Sequence, residues 1–191
     1  MTFEEIREKL AAKFAERIGP LAPANRDAFL AVQAADIVEI CRFLKDELAF
    51  DCLMNLSAVD WPARNQIDVV YHLWSYSKLH SFILKVQLDR AKPEIASVEG
   101  VWKAADWLER EQFDLLGVQF KGHPDLRRIM LPDDWVGHPL LKDYKEGTDY
   151  HGISTTRESP LDGFVRLDEF KKRAAAKEAE HVAAPGKDLP S

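Results

Sequence analysis

Three carboxylates lie close together near the middle of the chain, at Glu109, Glu111 and Asp114, and two arginines, Arg127 and Arg128, follow them. Neighbouring carboxylates can act as a general acid and a general base when a pocket brings a substrate to them. The same carboxylates can instead form ion pairs with the arginines. We favour ion pairs, because nothing in the sequence indicates a pocket.

These carboxylates belong to a predicted helix over 101–116 that Gly117 ends. Counting helix phase from Val101 predicts an apolar stripe with Gln112 at its centre and Glu111 at its edge; its apolar members are Ala104, Ala105, Leu108, Leu115 and Leu116. A carboxylate at this edge loses water and stays ionised only if a cation and backbone donors replace it. We expect Arg127 or Arg128 to supply the cation for Glu111, so Glu111→Ala would strand a buried arginine.

Two Gly-His-Pro triplets, at 122–124 and 137–139, could bring His123 and His138 around a metal ion. Histidines in turns more often make structural hydrogen bonds, and no His-Glu-x-x-His or Cys-x-x-Cys pattern supports a metal site. The hydroxyls at 154–156 lack a nucleophile elbow, and the chain has no glycine-rich phosphate loop. Hydrolysis by a serine nucleophile and nucleotide binding are therefore both disfavoured.

Composition excludes other classes. The chain has 191 residues, a net charge of -6 and an isoelectric point near 5.5, which argues against nucleic-acid binding. Cys41 and Cys52 are the only cysteines, too few to hold an iron-sulfur cluster by four thiolates. No apolar run approaches the roughly 18 to 20 residues that span a bilayer. We therefore expect a soluble protein with no direct membrane span, associated with a membrane only through partners.

The elements that position these residues follow in order. Thr2 and Glu5 form a capping-box pattern before an amphipathic helix that should run to Gly19, and Asp36 with Glu39 repeats the pattern before a second helix. Strands are predicted over 26–33 and 52–60, and alternating segments over 66–74 and 79–88 predict an antiparallel hairpin. The fold class is α+β: a small mixed sheet with a C-terminal antiparallel hairpin, packed against helices.

Beyond the central helix the pattern changes. Residues 118–165 are rich in glycine, proline, aspartate and histidine and show little periodicity, which predicts an extended irregular C-terminal arm that lies on a partner. The predicted organisation is an α+β globular domain over 1–117, the partner-binding arm over 118–165, and a charged helix with a disordered tail over 166–191.

One continuous stretch also carries a family resemblance. Glu-Arg-Glu at 109–111, Asp-Leu-Leu at 114–116, His123 and Arg-Arg-Ile-Met at 127–130 closely resemble the signature of the thirty-kilodalton subunit family of respiratory NADH:quinone oxidoreductase, complex I. Residues 56–60 resemble a strand-end motif of the same family. This many identities in one stretch are more specific than a lone glycine motif.

The resemblance implies a non-catalytic structural subunit in the peripheral arm of the proton-translocating enzyme. Such a subunit docks on the large forty-nine-kilodalton subunit of the quinone site, contacts other peripheral-arm subunits and supports electron transfer to quinone. It implies no cofactor in this chain, with FMN and iron-sulfur clusters in partner subunits. It also implies a peripheral location at the cytoplasmic face of the cell membrane.

Carried over position by position, the family motif implies structural and interface roles and no catalytic ones. The residues concerned are Glu109, Arg110, Glu111, Asp114, His123, Arg127, Arg128, His138, Lys142, Asp143 and Tyr144. Two positions depart from the family: Leu141 stands where arginine is usual, and Lys145 where proline is usual. The change at Leu141 removes a cation that could pair across an interface.

Other functions stay open at this point. The equivalent subunit of a membrane-bound hydrogenase, or of a deazaflavin-dependent or plastid-type relative of complex I, would have a similar sequence. A stand-alone metal-dependent hydrolase would purify with bound metal and need His123. A scaffold unrelated to respiration would co-purify with no iron-sulfur protein.

Overall fold

The computed structural model describes residues 2–22, 28–155, 169 and 171–172. Within them the elements are α1 (Phe3–Phe14), β1 (Ile18–Ala22), β2 (Phe29–Val32), α2 (Ile37–Asp46), β3 (Cys52–Trp61), β4 (Gln66–Ser75), β5 (His80–Asp89), β6 (Glu94–Ala96), α3 (Ala105–Leu116), β7 (Gln119–Lys121), β8 (Asp149–Tyr150) and β9 (Ile153–Ser154). Short 3-10 turns precede β1 and α2 and follow β3.

Five of the described strands form one mixed sheet, in the order β1-β2-β5-β4-β3. β2 pairs with β5 in parallel, and the other neighbours are antiparallel. The predicted hairpin is confirmed, because β4 and β5 pair from Gln66 and Asp89 to Ser75 and His80. The chain crosses from β2 through α2 to β3 at the far edge. The mixed α+β fold class predicted from the sequence is therefore confirmed.

The core lies on the face of the sheet covered by helices. α1 contributes Ile6, Leu10 and Phe14, and α2 contributes Ile37, Ile40, Cys41 and Leu44. They join Tyr71 and Leu73 of β4 and Phe82 and Leu84 of β5, all of which are buried. The alternation in the hairpin strands thus predicts the buried face correctly, and Cys41 packs in the core with them.

The two predicted capping boxes have different outcomes. At α1 the Thr2 side chain accepts from the Glu5 amide and the Glu5 carboxylate accepts from the Thr2 amide, as predicted. At α2 the prediction is wrong, because Asp36 makes no capping hydrogen bond. Arg17 lies 3.4 Å from Asp36 Oδ1 and 3.0 Å from Glu39 Oε2, so these carboxylates bind a cation from outside the helix.

The first part of the predicted arm belongs to the same unit as the sheet. Residues 1–145 form one compact unit and residues 146–191 another. The predicted boundary after 117 is therefore misplaced, because β7 pairs in parallel with β6 and the Leu140 amide donates to the Leu115 carbonyl at 3.0 Å. Residues 118–145 obtain their hydrogen bonds from their own chain.

In the second unit, β8 and β9 form a short antiparallel hairpin. Of the predicted helix and tail over 166–191, residues 169, 171 and 172 are described and are helical. The rest of that prediction, and 156–165 of the predicted arm, lie outside the described residues. No helix in the described part of the chain is long and apolar enough to cross a membrane.

Candidate functional site

The candidate site is built on α3, which is covered on two sides. On one side α3 lies along the edge strand β3, where Gln112 Oε1 accepts the Ala58 amide at 2.9 Å. Its end is fixed by Gly117, which has a φ of 79°. A Cβ there would lie 2.8 Å from Cδ2 of His138, so glycine is required for both the left-handed turn and the close approach.

The buried stripe of α3 differs from the predicted one. Its buried residues are Ala105, Glu109, Arg110, Gln112, Asp114 and Leu116. Glu111, Leu108 and Leu115 are half-buried and Ala104 is exposed, so the prediction that Glu111 is the desolvated carboxylate is wrong. Residues 118–145 cover a second face of α3, which shifts burial to Glu109 and Asp114. Helix α3 also begins at Ala105, because the Val101 and Trp102 amides bond to the Val98 carbonyl in a preceding turn.

Asp114 holds the loop that follows β7. Its Oδ2 accepts the backbone amides of Ile129, Met130 and Leu131 at 3.1, 2.7 and 2.9 Å. Its Oδ1 lies 3.3 Å from Nη1 of Arg128. The carboxylate is fully buried, so a cation and three backbone donors take the place of water.

The same end of α3 binds the next part of the segment. His138 Nδ1 donates to the Asp114 carbonyl at 2.8 Å, and Arg128 Nη2 donates to the Gly137 carbonyl at 3.3 Å. Asp114, through its side chain and its carbonyl, therefore fixes both 129–131 and the turn at 137–138.

Glu109 lies in a second buried polar cluster. It accepts the Val98 amide at 2.7 Å and the Ser97 hydroxyl at 2.6 Å. Burial, opposed by these two hydrogen bonds, raises the pKa of Glu109 from its usual 4.5 to about 7. A carboxylic acid with that pKa holds its proton over part of the neutral range.

His123 completes this cluster, and its side chain is fully buried. Its Nδ1 accepts the Asp125 amide at 3.1 Å, which leaves the proton of the neutral ring on Nε2. Nε2 donates to the Asp106 carbonyl at 3.2 Å and lies 4.0 Å from Oε2 of Glu109. His123 thus ties residues 123–125 to the first half of α3.

Arg127 does not pair with a carboxylate of α3 as predicted, and Arg110 lies 4.0 Å from Asp106 Oδ1. Arg127 Nε donates to Asp125 at 2.8 Å on the surface. Arg110, which is buried, donates through Nε to the Arg127 carbonyl at 3.3 Å, and its guanidinium lies 4.8 Å from the ring centre of Trp107. Of the two candidate cations, only Arg128 approaches a buried carboxylate.

A third cluster was not predicted. Arg90 donates to both carboxylate oxygens of Asp60, at 2.6 and 3.0 Å, and also to Asp143. The Lys142 amide donates to Asp60 Oδ2 at 2.8 Å, so Lys142 acts through its backbone. The hydrogen bonds from Arg90 lower the pKa of Asp60. The strand-end motif at 56–60 was a usable signal, but Arg90 stands in no motif and its role could not be read.

Tyr144 ends the fixed part of the segment. The indole Nε1 of Trp135 donates to the Tyr144 hydroxyl at 3.0 Å, and that hydroxyl donates to the Val136 carbonyl at 3.1 Å. Gly137 has a φ of 83°, and a Cβ there would lie 2.9 Å from the Tyr144 ring. The turn at 135–144 is thus closed by its own side chains.

These arrangements are suited to holding backbone in place. Asp114, Glu109 and Asp60 each accept backbone amides, and His123 and His138 bind different carbonyls of α3. No group of three or more metal-binding side chains that could hold an ion occurs among the described residues. The segment meanwhile leaves Met130, Val136 and Leu140 exposed by 63%, 85% and 53%.

The fold and motif together define a subunit of the respiratory type. Residues 30–150 match the family described as the 30 Kd subunit of respiratory-chain NADH dehydrogenase, and the chain belongs to that family. An NADH-quinone oxidoreductase subunit from Geotalea uraniireducens is 44% identical over 137 residues, which cover 71% of this chain and 84% of that protein. An F(420)H(2) dehydrogenase subunit from Methanosarcina mazei is 42% identical over 149 residues, covering 76% and 93%.

Two solved structures are similar in fold. The trypsin-resistant fragment (1-134) of Nqo5 superposes with a TM-score of 0.57 at 26% identity, covering 66% of this chain and all of the fragment. A chain of the membrane-bound sulfane sulfur reductase, an archaeal respiratory membrane complex, superposes with a TM-score of 0.59 at 28% identity, covering 69% and 77%. The family is that of a subunit of an electron-transport oxidoreductase.

Proposed function

We propose that this chain is a non-catalytic structural subunit of the peripheral arm of a proton-translocating NADH:quinone oxidoreductase. It docks on the large forty-nine-kilodalton-type subunit of the quinone site, contacts other peripheral-arm subunits and supports electron transfer to quinone by holding that neighbour in place. FMN and the iron-sulfur clusters belong to the partner subunits. The chain lies peripherally at the cytoplasmic face of the cell membrane, held there through the complex. Family membership and the 44% identity to an NADH-quinone oxidoreductase subunit support this proposal.

One observation supports the position of the docking surface. The amides of residues 129–131 donate to the Asp114 carboxylate and the Leu140 amide donates to the Leu115 carbonyl, so both stretches are fastened to α3 through their backbone. Their apolar side chains Met130, Val136 and Leu140 face water instead of the core. A rigid backbone with exposed apolar side chains loses little entropy on binding and gains by burying those side chains. We call these three side chains the docking row.

Leu141 and Lys145, the two residues that depart from the family pattern, differ in their burial. Leu141 is half-buried and packs against the hydrophobic core, so it adds apolar contact within this chain in place of an interface cation. Lys145 is exposed at the end of the first compact unit. We therefore propose that docking relies on the docking row and does not require a cation at position 141.

Co-purification tests the proposal. Tagged protein would be recovered from detergent-solubilised membranes, with mass spectrometry of the partners and an iron assay. We expect the parent chain to bring down the large quinone-site subunit with iron, and the variant Met130→Ser, Val136→Ser, Leu140→Ser to lose both. A control variant, Tyr76→Ser with Leu79→Ser, removes apolar side chains that are 66% and 74% exposed at the β4–β5 turn. Equal recovery with the docking-row variant would overturn the docking surface, and recovery of the chain alone would overturn the subunit role.

A second function rests on two of the similar proteins. The F(420)H(2) dehydrogenase subunit is 42% identical to this chain, against 44% for the NADH-quinone oxidoreductase subunit. The sulfane sulfur reductase chain is 28% identical, against 26% for the Nqo5 fragment. The alternative is the equivalent subunit of a membrane-bound hydrogenase or another complex-I-like oxidoreductase. The same experiment separates the two, because a flavin-binding NADH-oxidising module among the recovered partners identifies the first and a hydrogenase module the second.

A further inference from the structure

The Glu109 cluster is separate from the contacts of Asp114 that hold residues 129–131. It joins three parts of the chain: Ser97 and Val98 after β6, Asp106 and Glu109 on α3, and His123 after β7. The side chains of Glu109 and His123 are both fully buried, and Oε2 of Glu109 lies 4.0 Å from Nε2 of His123. Two titratable groups enclosed together share the consequences of each proton gained or lost.

The surroundings of Glu109 offer no fixed positive charge. Among the described residues, His123 is the one side chain able to carry a cation within 4.0 Å of the Glu109 carboxylate. Arg110, on the same helix, lies against Trp107 and 4.0 Å from Asp106. The acidic groups Asp106 and Glu99 disfavour a negative charge on Glu109. Tyr71 from β4 and Cys41 from α2 approach from the core, and burial raises the pKa of both, which keeps them neutral.

The hydrogen bonds from Ser97 and Val98 favour an ionised Glu109, and burial favours the protonated form more strongly, so the charge state of Glu109 is finely balanced. His123 accepts the Asp125 amide at Nδ1, and its Nε2 donates to the Asp106 carbonyl and lies 3.3 Å from Oδ1 of the same residue. When Glu109 loses its proton, the new charge attracts Nε2–H of His123 away from its present partners, the carbonyl and the carboxylate of Asp106. Because the Asp125 amide is bonded to Nδ1 of the same ring, a reoriented His123 would move the turn at 123–125.

We propose that Glu109 and His123 form a buried proton-binding site that controls how firmly residues 123–131 are held against α3. Loss of the proton loosens these residues, and docking through the adjacent docking row weakens. This inference rests on the proposed function for its effect on docking, whereas the structural response is a property of the chain alone. The ligand of the site is a proton, and its presence changes the affinity of this chain for its partner.

The isolated chain provides the first test. NMR would follow the side-chain carboxyl carbon of Glu109, the ring nitrogens of His123 and the backbone amides of Asp125 and Met130 from pH 5 to pH 9. We expect the two amides to shift with the same midpoint as the Glu109 carboxyl carbon. Glu109→Gln should abolish that shared step, and Glu111→Gln, on the same helix, should leave it intact. Amides that do not follow the Glu109 titration would overturn the proposal.

The docking effect is tested separately by the co-purification described above, carried out at pH 6 and pH 8. We expect several-fold less partner at pH 8 with the parent chain and with Glu111→Gln, and equal amounts at both pH values with Glu109→Gln. Equal recovery at both pH values with the parent would overturn the proton-dependent docking. Recovery of no partner at either pH would overturn the proposed function, and the NMR titration would still decide the proton-binding site.

Discussion

Two carboxylates on α3, Asp114 and Glu109, are fully buried, and they are stabilised in different ways. Asp114 has a guanidinium at 3.3 Å and three backbone amides on one oxygen. Glu109 has one amide and one hydroxyl, and its nearest possible cation is a histidine at 4.0 Å. The first arrangement suits a permanent charge, and the second suits a group that gains and loses a proton near neutrality.

Asp114 should therefore be the most costly carboxylate to remove from this helix. Asp114→Ala leaves three amides without their acceptor and Arg128 without its ion pair, and we expect the free energy of unfolding to fall by about 3 kcal/mol. Glu111→Ala is the matched control. Among the described residues Glu111 makes no side-chain hydrogen bond or ion pair and it is half-buried, so we expect a change within about 0.5 kcal/mol. Urea denaturation measures both, and a larger loss for Glu111→Ala would contradict this ordering.

Glu109 should make the stability of the fold depend on pH near neutrality. Its pKa is raised from 4.5 to about 7, so the folded chain binds more protons than the unfolded chain between these values. The resulting stability is fully present below pH 4.5 and is lost as the pH rises through about 7, a difference of about 3 kcal/mol. Denaturation series from pH 5 to pH 8 should show this decline in the parent chain and a much flatter profile in Glu109→Gln. Parallel profiles would rule out Glu109 as the source.

At the scale of single residues, the sequence predicted the kind of interaction correctly but assigned it to the wrong carboxylate. It indicated that a carboxylate on this helix would be desolvated and held by Arg127 or Arg128 with backbone donors. The structure has that arrangement at Asp114 with Arg128, and not at Glu111. Phase counting assumes that a helix buries one stripe, whereas α3 is covered by β3 on one side and by 118–145 on another.

At the scale of elements, prediction succeeded where the signal was local. The alternation over 66–74 and 79–88 and the stop at Gly117 depend on neighbouring residues, and both appear in the structure. Residues 118–145 show no hydrophobic periodicity. Their backbone is held by separate hydrogen bonds from side chains of α3 and of the β3–β5 region. The bonds from Asp114 and Asp60 span 15 to 17 and 82 positions. Such contacts leave no repeating pattern to read.

The cluster of Arg90, Asp60 and Asp143 fastens the last part of this segment. In Arg90→Gln, the fully buried Asp60 carboxylate loses its cation, and we expect a loss of about 2 to 3 kcal/mol together with faster tryptic cleavage at Lys142. Arg64→Gln, at an exposed arginine, is the control. Mass spectrometry of timed digests measures the cleavage. Unchanged cleavage at Lys142 would show that the cluster does not hold the segment.

At the scale of the whole molecule, the first compact unit contains the core. All buried apolar side chains among the described residues lie between Ile6 and Phe120, and the polar clusters that fix the segment end at Tyr144. The sequence placed the end of the globular domain at 117, because an irregular composition resembles an arm even when it is packed. Composition reports the absence of regular elements, and it does not report the absence of contacts.

A chain ending at Lys145 should therefore fold by itself. We expect its thermal midpoint to lie within about 3 °C of that of the full chain, because it retains the five-stranded sheet, helices α1 to α3 and the three polar clusters. A chain ending at Gly117 is the comparison and should be strongly destabilised, since it loses the covering of α3. Calorimetry distinguishes the two, and equal midpoints for the full chain and the chain ending at Gly117 would contradict the role given to residues 118–145.

The hydrogen bond from the Ala58 amide to Gln112 has a consequence for the time before assembly. β3 is an edge strand, and an uncovered edge with unpaired amides recruits strands from other molecules. With α3 laid along it and a glutamine occupying one of its amides, this edge cannot readily extend its sheet into a second copy. We therefore expect Gln112 to disfavour edge-to-edge association between copies of this chain.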